Sequence, residues 1–187
     1  MTDAVNTEGT RRIEMGTEDS VLLARDVWVG VKVAAGVKPI VRGGRLHVPR
    51  GQILGLVGES GSGKTVTGLS IMGLVPRPGK IERGSIHFGG RDLLRLSESQ
   101  MRSIRGGEIA MVFQDASNSL NPVITVGEQI REVLQIHSDM TMRQSIPLSI
   151  DLMTQMGIAD AERLLDRHPW EISGGMAQRV MLAMGLA

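Results

Sequence analysis

Gly58, Glu59, Ser60, Gly61, Ser62, Gly63, Lys64 and Thr65 place three glycines ahead of one lysine and a threonine hydroxyl. Residues 53–57 before them are Ile-Leu-Gly-Leu-Val, the apolar run of a strand buried on both faces. Residues 64–75 after them contain no proline and space Val66, Leu69, Met72 and Gly73 as a helix does. Glycine lets such a loop curl until successive N–H groups converge on one anion. The helix that follows adds the positive end of its dipole. A lysine at this position reaches the outer phosphates of a nucleoside triphosphate, and the next hydroxyl reaches Mg²⁺. Strand, loop and helix in that order predict a nucleotide site rather than a glycine-rich turn with a surface lysine.

Two further groups carry less information alone. Gln114 directly follows the apolar run 109–113, at the strand end where parallel sheets bind ligands. A neutral amide there coordinates Mg²⁺ or orients a water without adding charge. Ser173, Gly174 and Gly175 precede Met176, Ala177, Gln178 and Arg179. They read as a serine N-cap opening a helix, and equally as a second anion site of one hydroxyl and bare N–H groups. One chain with one phosphate loop has no need of a second such site, unless it completes the pocket of another subunit.

The elements that must position these residues follow from the pattern. Residues 22–31 predict a strand, 33–44 a loop or hairpin connection, and 46–48 and 52–57 two strands split by a turn. Residues 84–88 predict a short strand and 109–113 a buried one. Ser97 with Gln100, and Thr125 with Glu128, are capping boxes opening helices to about residues 105 and 136. Residues 151–156 and 160–167 are further helical pieces, and a last helix starts at Ser173. Residues 1–20 form a polar tail expected to be disordered. The boundaries expected are a nucleotide-binding α/β core over 21–114 and a helical subdomain over 115–187.

Composition narrows the function. Lys and Arg number 21 against 20 Asp and Glu, with no basic run to serve as a nucleic-acid surface. The absence of cysteine rules out disulfides and thiolate metal sites. No apolar stretch is long enough to span a bilayer, so contact with a membrane has to come through a partner. The 12 methionines read as adaptable core filler.

Together the phosphate loop, Gln114, the helical insert and Ser173-Gly174-Gly175-Met176-Ala177-Gln178-Arg179 resemble the nucleotide-binding subunit of an ATP-binding-cassette (ABC) transporter, from about residue 22 to 187. Phe113-Gln114-Asp115-Ala116-Ser117-Asn118-Ser119-Leu120-Asn121-Pro122 and His168-Pro169-Trp170-Glu171-Ile172-Ser173 resemble the importers of dipeptides, oligopeptides and nickel. The resemblance implies a P-loop NTPase core with a small antiparallel β part and a helical subdomain. It implies that residues from Gly58 to Thr65, with Val66, hold ATP, that Thr65 and Gln114 serve Mg²⁺, and that Gln114 couples the site to membrane subunits. Ser173, Gly174 and Gly175 would close on ATP held by a second ATP-binding subunit. The implied setting is the cytoplasmic face of the membrane, beside integral permease subunits.

Three departures qualify it. The position matching the family's adenine-stacking aromatic is Val31, and Trp28 has the opposite parity. Ala116 replaces a usual proline, and Ile172 a usual leucine. The strand carrying an aspartate and the catalytic glutamate, and the later switch histidine, do not occur in the 187 residues. The rival reading is accordingly a nucleotide-binding remnant without a transport role. A DNA-repair or chromosome ATPase gains no support, since zinc-binding cysteines and heptads are both missing.

Overall fold

The computed structural model describes residues 20–114, 119–138 and 140–187. The expected tail over 1–19 and the motif residues Asp115, Ala116, Ser117 and Asn118 lie outside them. The chain divides into two compact units, residues 1–96 and residues 97–187. That division falls earlier than the boundary at Gln114 suggested by the sequence.

Among the described residues the first unit is an antiparallel sheet with one α-helix and a 3-10 turn at Leu93–Arg95. Strands β1 (Ser20–Val33), β2 (Gly36–Pro49), β3 (Gly79–Phe88) and β4 (Arg91–Asp92) lie in the order β2-β1-β3-β4. The residues expected to form a connection over 33–44 instead make a two-residue turn and the first half of β2, which runs unbroken to Pro49. β1 is irregular: Asp26 takes a positive φ of 48°, and Gly84 on β3 takes 112°. A Cβ on Gly84 would come within 2.6 Å of the Asp26 carbonyl oxygen, so only glycine fits that bulge. Leu23, Ala24, Val27, Val29 and Ile86 are buried along the sheet.

Helix α1 (Lys64–Ile71) is shorter than the 64–75 expected. Gly73, at φ 64°, ends it: its N–H donates to Ser70 O and that of Leu74 to Leu69 O. These paired bonds satisfy the last carbonyls of the helix.

Two expected strands are corrected. Residues 52–57 form no ladder, and Ile53 and Val57 stand almost wholly exposed, at 101% and 93%. Residues 109–113 likewise form no strand beyond an isolated bridge between Arg105 and Ile109. An apolar run specifies a buried strand only when strands flank it, because its N–H and C=O groups need ladder partners. Among the described residues neither segment has such a neighbour.

The second unit is helical: α2 (Glu98–Ile104), α3 (Val126–His137), α4 (Met142–Gln155), α5 (Ala161–Leu164) and α6 (Gly174–Leu186). The Ser97–Gln100 and Thr125–Glu128 capping boxes both form. α4 begins well before the 151 expected, since the helix tolerates Pro147 in its interior, where a proline ordinarily signals a break. Its start is a third capping box, Thr141 with Gln144. Val126, Ile130 and Leu134 of α3 meet Leu152 and Met153 of α4 and Ala177, Val180 and Ala183 of α6 in one core. The small alanines let α6 lie close to its neighbours.

Candidate nucleotide-binding site

Gly61 and Gly63 hold the phosphate loop in its curl, with φ of 81° and 92°. These left-handed values are costly for any residue with a Cβ. Gly63 also needs its smallness, because a Cβ there would sit 3.2 Å from Val41 Cγ2 of β2. The start of α1 carries no side-chain cap and no acidic residue in its first turn. The first N–H groups of the helix are therefore left for an outside acceptor. Gly58, Glu59, Ser60, Gly61 and Ser62 are exposed, so the loop opens to solvent.

Lys64 lies back over this loop. Its Nζ donates to the carbonyl oxygens of Gly58 and Glu59, each at 2.7 Å, and to Ser62 Oγ at 3.3 Å. The ammonium thus already stands over the loop, held by neutral acceptors that an anion outcompetes. Thr65 is exposed on the first turn of α1, and Val66 is half-buried beneath it. Farther along, Thr67 and Ser70 spend their hydroxyls on the carbonyls of Gly63 and Val66. A hard oxygen donor at Thr65, beside an anion cradle, suits Mg²⁺.

Trp28 is partly engaged and less exposed than a free stacking ring. Its Nε1 donates to Asp26 Oδ1 at 2.8 Å, and the Arg83 guanidinium lies 4.3 Å from its ring centroid. Val31 pairs with Lys38 on β2 and Gly79 on β3.

In the second unit Gln114 is exposed, at the end of the unpaired segment 109–113. Ser173 caps α6 as expected, its Oγ accepting from the Met176 N–H at 3.3 Å. Gly174 and Gly175 are exposed, and nothing lies within 4 Å of a Cβ built on Gly175. A helix start of this kind presents a hydroxyl and open N–H groups to an anion.

Several residues have supporting roles that were not assigned from the sequence. Arg179 donates from Nη1 to the Gly157 carbonyl, tying α6 to the end of α4. Buried Gln129 satisfies its whole amide on one loop: Oε1 accepts from Asn121 N, and Nε2 donates to Asn121 O and Ile124 O. Its signal was a glutamine beside the apolar stripe of α3. Val126 N and Gly127 N donate to the carbonyls of Arg167 and Leu165, fixing the chain just ahead of the turn that leads to Ser173. In that turn Glu171 accepts from His168 N and Arg167 Nη1, which hold its carboxyl below the usual range.

A phosphate loop opening a helix, an antiparallel sheet before it and a serine-glycine helix start define an ATP-binding cassette. The ABC transporter family model matches residues 41–187, and the chain belongs to that family. A probable peptide ABC transporter ATP-binding protein of Sinorhizobium fredii is 46% identical over 90% of this chain and 51% of its own length. The oligopeptide transport ATP-binding protein OppD of Bacillus subtilis is 44% identical over 89% of this chain and 47% of its own. The dipeptide transport ATP-binding protein DppD of Escherichia coli is 47% identical over 75% and 43%. The chain thus spans about half the length of these relatives. Among solved structures, the dimeric cassette MJ0796, bound to ADP and Pi, superposes with a TM-score of 0.77. It covers 88% of this chain and 68% of the other at 23% identity, and shows the fold.

Proposed function

We propose that this chain is part of the ATP-binding subunit of an ABC importer for peptides or related solutes, converting ATP binding into movement of membrane subunits. The carrying observation is the pre-formed loop, with Gly61 and Gly63 in left-handed conformations and Lys64 poised over an uncapped helix start. The N–H groups from Gly58 to Val66 receive the phosphates, and Lys64 turns from its own carbonyls to the β- and γ-oxygens. Mg²⁺, when bound, offsets phosphate charge and orients the terminal phosphoryl group. Thr65 would offer its hydroxyl to Mg²⁺, and Gln114 is proposed to serve Mg²⁺ and to couple nucleotide binding to the permease. Ser173, Gly174 and Gly175 close on a nucleotide held by a second ATP-binding subunit, in a homo- or heterodimer.

No described helix is long and apolar enough to cross a membrane. The likeness to transport ATP-binding proteins supports placing the chain peripherally, on the cytoplasmic face beside the permease. The identity of 46% and 44% to peptide-transport ATP-binding proteins favours this reading over a remnant without a transport role. Lys64→Ala should weaken Mg-ATP binding by about 2–4 kcal/mol, the scale of a charge-assisted phosphate contact in a partly dry site. Calorimetric titration giving equal affinities would remove the assignment.

A further inference from the structure

The chain has four aromatic rings apart from histidine: Trp28, Phe88, Phe113 and Trp170. Trp28 carries Arg83 on its face, and Phe88 has Arg91 at 6.0 Å. Phe113 stands on a segment without a ladder. Trp170 differs from all three, being 72% exposed while its ring rests on a neighbouring one. Pro169 fixes the first position of its 3-10 turn (Pro169–Glu171), and Glu171 closes that turn on His168 N at 2.7 Å. The imidazole of His168 stacks on the indole, with centroids 5.8 Å apart and planes inclined by 20°.

A ring held this way loses little freedom when a planar ligand stacks on it. The exposed apolar surface is also narrow. Pro169 is buried, Ile172 is half-buried, and Asp166, Arg167 and Glu171 around them are exposed and charged. A patch one ring wide suits a planar heterocycle better than a protein segment, which needs a broader apolar face. Three residues on, Ser173 begins the open helix start.

We propose that Trp170 is a base platform, stacking on the purine of the nucleotide whose phosphates lie in the partner cassette's loop. The assignment rests on the closure of Ser173, Gly174 and Gly175 over that nucleotide. It adds a source of base recognition that the engaged Trp28 and aliphatic Val31 do not supply.

The test mixes two copies of the chain. One carries Trp28→Phe and Lys64→Ala, leaving Trp170 as its sole indole and disabling its own loop. The other carries Trp28→Phe and Trp170→Phe with the loop intact. Mg-ATP should quench Trp170 emission only when both copies are present, whereas Mg-tripolyphosphate, which lacks a base, should not. In this pair Trp170→Ala should weaken ethenoadenosine triphosphate about 10-fold, as loss of one base stack does. It should leave tripolyphosphate-driven association unchanged, and Trp170→Phe should restore most of the loss. Equal quenching by both probes, equal loss for both probes, or Mg-ATP-driven association by light scattering, above that of the nucleotide-free mixture, without quenching would each overturn the platform. So would quenching by permease-containing membranes in the absence of nucleotide, which would give the ring to a protein partner. Failure of the trans-closure reading shows separately, as no nucleotide-driven association of copies whose loops bind Mg-ATP by calorimetry.

Discussion

Lys64 makes three hydrogen bonds within its own loop, so the loop meets its ligand with the cation already in place rather than swinging in from solvent. What the first unit lacks is a free ring for the base. Val31→Tyr should therefore strengthen Mg-ATP binding by about 1 kcal/mol through stacking, measured by calorimetry. Chemistry should remain separate from binding. These 187 residues contain no apolar strand ending in a carboxylate pair to position and activate water, so bound ATP should persist on the purified chain. Steady phosphate release that Lys64→Ala abolishes would show that water is activated by other groups. At this scale the sequence was highly legible: Gly61, Gly63 and Ser173 adopt the conformations that their types demand. Arg179 and Gln129 were not legible, because their partners, Gly157 and the 121–124 loop, are brought to them only by tertiary packing.

At the scale of elements, the cap residues were the most readable signals, since a capping box is satisfied within four residues and needs no distant partner. The extent of α4 was not, because burial on the α3–α6 core outweighs the local cost of Pro147. The contact that most directly supports the Ser173 turn is the approach of α3 to residues 165–167. A Cβ on Gly127 would lie 2.7 Å from the Leu165 carbonyl oxygen and 2.9 Å from Leu165 Cβ, and neither atom can swing away. Gly127→Ala should destabilise the helical unit by about 2–3 kcal/mol in urea unfolding. Proton linkage acts on the same region. Glu128 is held below the ordinary carboxylate range by Thr125, and Glu171 by His168 N and Arg167. Depressed folded pKa values give stability that is present at neutral pH and is lost as pH falls through them. The urea midpoint should therefore drop between about pH 5 and pH 3, and Glu128→Gln with Glu171→Gln should flatten that dependence.

For the whole molecule, the decisive residues are those whose apolar character has no partner. Residues 52–57 lead straight into the phosphate loop, yet Ile53 and Val57 are almost fully exposed and Leu54 and Leu56 nearly half so. The sequence reads this segment correctly as one that would be buried between strands. The strand expected to flank it in the resembled family does not occur in these 187 residues, and the segment accordingly has no ladder partner among the described residues. Unpaired apolar segments recruit other chains. The segment also forgoes the gain of about 1.5–3 kcal/mol for each large apolar side chain fully buried, which is considerable against a total domain stability of about 5–15 kcal/mol. The 187-residue chain should accordingly bind anilinonaphthalene sulfonate, self-associate with rising concentration and show weak near-UV circular dichroism. Adding the segment that the B. subtilis relative carries beyond its match, fused or in trans, should reduce dye binding and tighten Mg-ATP affinity together. Joint improvement would show that residues 52–57 anchor the loop through a sheet. A cooperative melt without dye binding, unchanged by the added segment, would show instead that the two units hold the loop by themselves.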